Sequence, residues 1–165
     1  MEDKSLSHIE NVVRVVFPST MIRDGELLPA AFKLREQEEG PEQYLSVFRQ
    51  FSANFKADIS AFDKDRNLPC CILNVGEVDN IKLIITTHEV KYTVMALPTP
   101  SYKSHAGIFI KIGKWEVEGG GMRAFTALNI GQEAAFHMLA IRRRLIDLAK
   151  KRIATVSLIL KQQLP

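Results

Sequence analysis

Cys70-Cys-Ile-Leu-Asn-Val75, Val90-Lys-Tyr-Thr-Val-Met-Ala-Leu97 and Gly107-Ile-Phe-Ile-Lys-Ile112 are the stretches whose reading decides the fold. Each is a short apolar run rich in β-branched residues and bounded by turn residues, which is how strands are written. A further such run lies at 81–87, set off by Gly76-Glu77 before it and His88-Glu89 after it. Runs this close in sequence pair most simply as neighbours, so a largely antiparallel sheet is expected.

Working towards the start of the chain, 12–17 (Val-Val-Arg-Val-Val-Phe) is β-branched and stopped by Pro18. It reads as another strand, and 44–51 alternates as one more. Between them lie a turn at 23–26 containing Gly25, an ambiguous segment at 27–34 and an acidic loop at 36–42. Ser52 can cap a short helix through Phe55, Ile59 and Phe62, whose spacings of four and three fit one helical face.

Working towards the end, Gly113-Lys114 suits a two-residue hairpin turn, and Gly119-Gly120-Gly121 offers a hinge. No Gly or Pro follows between Gln132 and Leu164, and 33 helical residues would span about 50 Å. Asn129 with Gln132 fits an N-cap and its capping-box partner. Met138, Ile141, Leu145, Leu148, Ala149, Ile153, Val156, Ile159 and Leu160 project onto one stripe, with basic residues opposite and Arg152 anomalous within it. The expected architecture is therefore one α+β domain: a largely antiparallel sheet with one short helix and a long C-terminal amphipathic helix. Its parts are a β-rich body at 1–118, a Gly-rich hinge and helix cap at 119–130, and a long basic helix at 131–165.

Length and composition agree with a single domain. The chain has 165 residues, within the ordinary range for one core, with 46% hydrophobic and 25% charged residues. Those values exclude a disordered chain, a fibrous repeat and a disulfide scaffold. The net charge is only +3, but it is unevenly placed. Residues 1–130 hold 15 Lys+Arg against 17 Asp+Glu, a balance of −2, whereas 131–165 hold seven against two, a balance of +5. Such asymmetry points to an anionic partner for the terminal segment. Cys70 and Cys71 are adjacent, a spacing that strains a mutual disulfide, and they open an apolar run, so both are expected to be buried thiols. The acidic start Met1-Glu2-Asp3-Lys4 shows no secretory leader, and no run is long enough to span a membrane, so a reducing cytoplasm is expected.

Arg14-x-Val-x-x-Pro18, Asp24-Gly25 with Ala31-Phe32, Leu45-Ser46-Val47 and Ser104-His105-Ala106-Gly107-Ile108 resemble elements of a family of small uncharacterised bacterial proteins. The resemblance covers about residues 14–110. It implies a bacterial origin and a compact mixed domain, and no activity.

The chain has no phosphate loop, no dinucleotide fingerprint, no zinc-protease motif and no nucleophile elbow. His8, His88, His105 and His137 show no metal-ligand spacing, so neither metal nor cofactor is expected. His105 follows a proline-rich loop at the mouth of a strand, where a scaffold often holds a catalytic group. Its plainer role is a ring hydrogen-bonded to loop backbone. Arg14 lies inside an apolar strand, where a buried charge demands partners, unless an edge strand turns it to solvent. Arg14, Ser46 and His105, from three strands, could line one cleft of a small nucleotide- or nucleic-acid-directed enzyme. Arg142, Arg143, Arg144, Lys150, Lys151 and Arg152 could contact nucleic acid, or could simply be a solvated face.

Among these readings a non-enzymatic interaction or accessory protein is expected first. It would self-associate, or join a protein partner, through Met138, Ile141, Leu145, Leu148, Ile153, Val156 and Leu160. The nucleic-acid accessory and the small enzyme are the alternatives.

Overall fold

The computed structural model describes residues 5–17, 22–24, 26–32, 44–64, 67–85, 88–117, 123–128 and 135–162. Its main sheet is assembled from β1 (Asn11–Val15), β4 (Tyr44–Arg49), β5 (Pro69–Asn74), β6 (Leu83–Ile85), β7 (His88–Ala96), β8 (His105–Val117), β9 (Arg123–Leu128) and β10 (Ile153–Thr155). The order is β10-β5-β1-β4-β8-β7-β6, with β9 pairing the far half of β8, and every pairing is antiparallel. A separate hairpin joins β2 (Ile22–Arg23) to β3 (Glu26–Leu27), and Asp24 between them takes the left-handed region at φ 52°. A 3₁₀ helix (Pro29–Phe32) follows, and the α-helices among the described residues are α1 (Phe55–Phe62), α2 (Val75–Asp79), α3 (Ala135–Ala149) and α4 (Val156–Gln162). The protein is thus α+β with a largely antiparallel sheet. Among the described residues no helix is long and apolar enough to cross a membrane.

The β10-β5-β1-β4 part of the sheet is covered on both faces, which explains the composition of those strands. Along β1, Val12 and Val16 enter one core with Leu45, Val47, Leu73 and Ile108, beneath Phe32 and α3. Val13 and Val15 enter the other with Phe48 and Cys70, beneath Phe55 and Ile59 of α1 and Val156 and Ile159 of α4. A strand buried on both sides reads as a continuous apolar run, as Val-Val-Arg-Val-Val does. β1 is therefore central, lying between β5 and β4, and the edge-strand placement that would free Arg14 into solvent does not hold. The vicinal thiols Cys70 and Cys71 point into opposite cores, as successive strand residues must, and both are free.

Several local expectations are corrected. β8 runs straight through Gly113-Lys114, so no hairpin turn forms there; pairing with β7 up to Gly113 and with β9 beyond it holds the strand extended. The interval 119–130 is not simply a hinge, because β9 occupies 123–128 and pairs with β8. The glycines at 119–121, Gly25, the acidic loop and the proposed cap at Asn129 and Gln132 lie outside the described residues. Asn54 stands at the N-cap of α1, and Ser52 Oγ accepts from its backbone N–H at 3.3 Å. A short α2 also interrupts the β-rich middle. Asn74 caps it, its side-chain oxygen accepting from Glu77 N–H at 3.0 Å.

The long C-terminal helix is the largest correction. Helix α3 ends at Ala149, a turn follows, and Ile153–Thr155 extend as β10 before α4 begins. Ile153, Thr155 and Val156 are β-branched and favour the extended state, and β5 offers an open edge to receive them. Ile153 pairs with Cys71 and Thr155 with Pro69. Ile72 N–H donates to Arg152 O at 2.9 Å and Val156 N–H to Leu68 O at 3.1 Å. Arg152, anomalous in a helical stripe, sits in this turn. The apolar stripe therefore splits. Ile141, Leu145 and Ala149 pack on one face of the sheet, Val156 and Ile159 on the other.

Candidate functional site

Arg14, Ser46 and His105 lie on the neighbouring strands β1, β4 and β8, and the sheet brings them together in two steps. Register places Ser46 opposite Gly107 and Phe48 opposite His105, so Ser46 and His105 are diagonal neighbours on one face. His105 Nδ1 lies 2.8 Å from Leu97 O. A carbonyl oxygen can only accept, so in the neutral ring the proton is on Nδ1 and the Nε2 lone pair is free to accept. The Ser46 hydroxyl stands 2.5 Å from that nitrogen and donates to it. This is a hydroxyl held by an imidazole base, which is in turn oriented by a third group. One ring nitrogen thus bonds to loop backbone and the other meets Ser46.

The surroundings are aromatic. Tyr44 meets the His105 ring edge-on at 6.0 Å and Phe48 does so at 6.4 Å, while Tyr44 also packs on Phe109 at 5.4 Å. A Cβ on Gly107 would come within 2.8 Å of Leu97 Cδ1 and 2.9 Å of Tyr44 Cδ2. The glycine thus permits Tyr44 and Leu97 to close over the strand beside Ser46. His105 is buried and Ser46 half-buried, so the hydroxyl is the more accessible member.

Arg14 reaches the same place from behind. Its strand position puts its side chain on the α3 face, whereas the Ser46 hydroxyl is on the α1 face. β1 pairs with β4 at Val12↔Arg49 and Val13↔Phe48. Beyond it, Arg14 Nη1–H donates to Ser46 O at 2.8 Å and Nε–H to Ala31 O at 2.7 Å, with the guanidinium 6.0 Å from the Phe32 ring centroid. Arg14 is 0% exposed, and carbonyl dipoles solvate its charge. It fastens the backbone of Ser46 to the 3₁₀ helix from the face opposite the Ser46 side chain.

Part of the proposed partner stripe falls within the chain's own core. Ile141 and Leu145 are fully buried, Val156 is buried, and Leu148 and Leu160 are half-buried. The side chain of Met138 lies outside the described residues. Ile153 is exposed, as are Leu139 and Leu158. Of the basic residues, Arg143, Arg144, Lys150, Lys151 and Arg152 are exposed. Lys150 lies 3.4 Å from Asp147 and Arg152 lies 3.9 Å from Glu77, so part of that charge is locally balanced. Arg142 is half-buried, and burial lowers its pKa.

Burial pushes the thiols of Cys70 and Cys71 up to about 12, so neither is a thiolate at neutral pH. Among the described residues no group of three or more His, Cys, Asp or Glu side chains could hold a metal ion. Sequence reasoning missed Leu97, whose carbonyl sets the tautomer of His105; a backbone acceptor leaves no mark on residue type. No family model, no curated protein and no solved structure matches the chain.

Proposed function

We propose that the chain is a small hydrolytic enzyme of the acyl-transfer kind, with Ser46 as nucleophile and His105 as general base. The observation that carries the reading is the relay Ser46 Oγ–H to His105 Nε2, with Nδ1–H held by Leu97 O. In the first half-reaction Ser46 Oγ attacks an ester carbonyl carbon while its proton passes to His105 Nε2. Collapse breaks the bond to the alcohol, which leaves with that proton. A water then gives its proton to His105 and attacks the acyl-Ser46, and Ser46 recovers the proton as the acid departs. The rings of Tyr44, Phe48 and Phe109 favour an apolar acyl group.

A fluorophosphonate ester tests this directly, since attack by Ser46 Oγ expels fluoride and leaves a phosphonyl adduct visible by intact mass. Stoichiometric modification of Ser46 is expected, absent in Ser46→Ala and strongly slowed in His105→Ala. No adduct on the folded wild-type chain, or equal modification of His105→Ala, refutes the reading.

Association through the C-terminal segment is a second reading, supported by the exposed side chains of Leu139, Ile153 and Leu158. It calls for a mass by light scattering that rises with concentration and falls back on Leu158→Asp. A constant monomer mass removes it.

A further inference from the structure

The apolar face of α1 is set by Phe55, Ile59 and Phe62, and Asp58 occupies a slot on that same face. Asp58 is 8% exposed. A carboxylate held out of water needs hydrogen bonds, and this one takes two from a single residue. Its Oδ2 accepts from Ser104 N–H at 2.7 Å and from Ser104 Oγ–H at 2.6 Å. Ser104 immediately precedes His105 and is itself 0% exposed.

Resting on the Ser46–His105 reading above, we infer that Asp58 is the positioning residue for His105, acting through Ser104. Ser104 is clamped from two sides, because Arg49 N–H donates to its carbonyl oxygen at 2.7 Å while Asp58 holds its amide and hydroxyl. The next residue is then fixed at three atoms. His105 N–H donates to Tyr102 O at 3.2 Å, His105 O accepts from Leu97 N–H at 2.9 Å, and the ring Nδ1–H reaches Leu97 O at 2.8 Å. The loop between them closes on itself, Tyr102 N–H donating to Thr99 Oγ1 at 2.9 Å and Thr99 N–H to Tyr102 O at 3.0 Å. Asp58 does not touch the ring. It sets the point from which the ring departs, and a proton transfer over one hydrogen bond loses rate quickly when that point drifts. α1 thereby acquires a task beyond covering the sheet, because it carries the group that holds the base in register with Ser46.

The test uses the full chain, fluorophosphonate labelling of Ser46 resolved into a limiting rate and a half-saturating concentration, and nitrogen-15 imidazole spectra of His105. In Asp58→Asn the limiting rate is expected to fall at least tenfold, with the half-saturating concentration within twofold. The His105 spectrum should shift from the Nδ1-protonated pattern to a mixture of tautomers. Ser104→Ala keeps the amide bond to Asp58 and should show the same changes at about a third of the size. It carries the test if Asp58→Asn does not fold. An unchanged limiting rate and an unchanged tautomer in a folded variant overturn the inference. If the wild-type chain is not labelled at all, the enzymatic reading falls, and the tautomer spectra alone decide whether Asp58 sets the ring.

Discussion

Replacing Arg14 by Met removes a buried cation together with, among its contacts, the bonds it makes to Ala31 O and Ser46 O. The methionine fills most of the aliphatic stem and can satisfy neither carbonyl. Each acceptor stranded in a dry core costs about 1–3 kcal/mol, so the two together cost about 2–6 kcal/mol. Part of that returns, because the guanidinium no longer has to be desolvated, and a net loss of about 2–4 kcal/mol is expected. Against a domain stability of about 5–15 kcal/mol the protein stays folded but becomes far easier to unfold. With a urea slope near 2 kcal/mol per molar, the midpoint followed by far-ultraviolet circular dichroism should drop by about 1–2 M. Arg14→Lys keeps the charge but offers one point donor where two separated carbonyls wait, and should fall between the two. A midpoint for Arg14→Met within about 0.3 M of wild type would refute the argument. Arg14 would then be a buried charge that apolar packing replaces without loss.

The C-terminal segment gives a second expectation. Leu145 is fully buried, so Leu145→Ala should lower the unfolding free energy by about 2–5 kcal/mol in a denaturant titration, where a residue facing a partner would change it little. Gly107→Ala should slow labelling of Ser46, because the added methyl displaces Tyr44 and Leu97; a rate equal to wild type shows that those side chains yield without disturbing the dyad. The thiols predict a pH dependence. Their folded pKa values, near 12, lie above those of exposed thiols, so the unfolded chain gives up these protons first as pH rises. Stability should therefore be unaffected below about pH 8.5 and fall above it, by up to about 1.4 kcal/mol per pH unit for each thiol. Cys70→Ala and Cys71→Ala should each flatten the slope in alkaline denaturation, and an identical slope in both variants contradicts the assignment.

The strands were legible because their signal is local. Runs of β-branched residues at 12–17, 70–75 and 90–97 correspond to β1, β5 and β7 within a residue or two. Arg14 stands out as a charge in an apolar strand and His105 as a ring at a strand mouth after a proline-rich loop, and adjacent strands carry them with Ser46 between. Their connectivity was not legible, since register across a sheet is set by pairing partners far away in sequence. The C-terminal segment misled for a physical reason. A stripe repeating every three or four residues fits one long helix as well as two short ones, and only the open edge of β5 selects the second. Asp58 carried a signal in principle, a carboxylate on the apolar face of a short helix, but its meaning depends on Ser104, 46 residues later in the chain.

The placement of β10 has a consequence for the order in which this protein can fold. Ile153 and Ala154 pair with Cys71 and Cys70, more than eighty residues earlier in the chain. Until that pairing forms, β5 presents a flat, apolar, uncharged margin of Cys70-Cys-Ile-Leu73, the kind of edge that recruits strands from other molecules. α3 and α4 pack on opposite faces of the sheet, so neither core is complete until its helix has docked. Contacts this distant form slowly, because the loop must close before any bond repays it. The segment at 135–162 thus acts as a clasp drawn around the sheet from one face to the other. A truncated or slowly released chain would leave the clasp open, with its greatest hazard at the β5 margin.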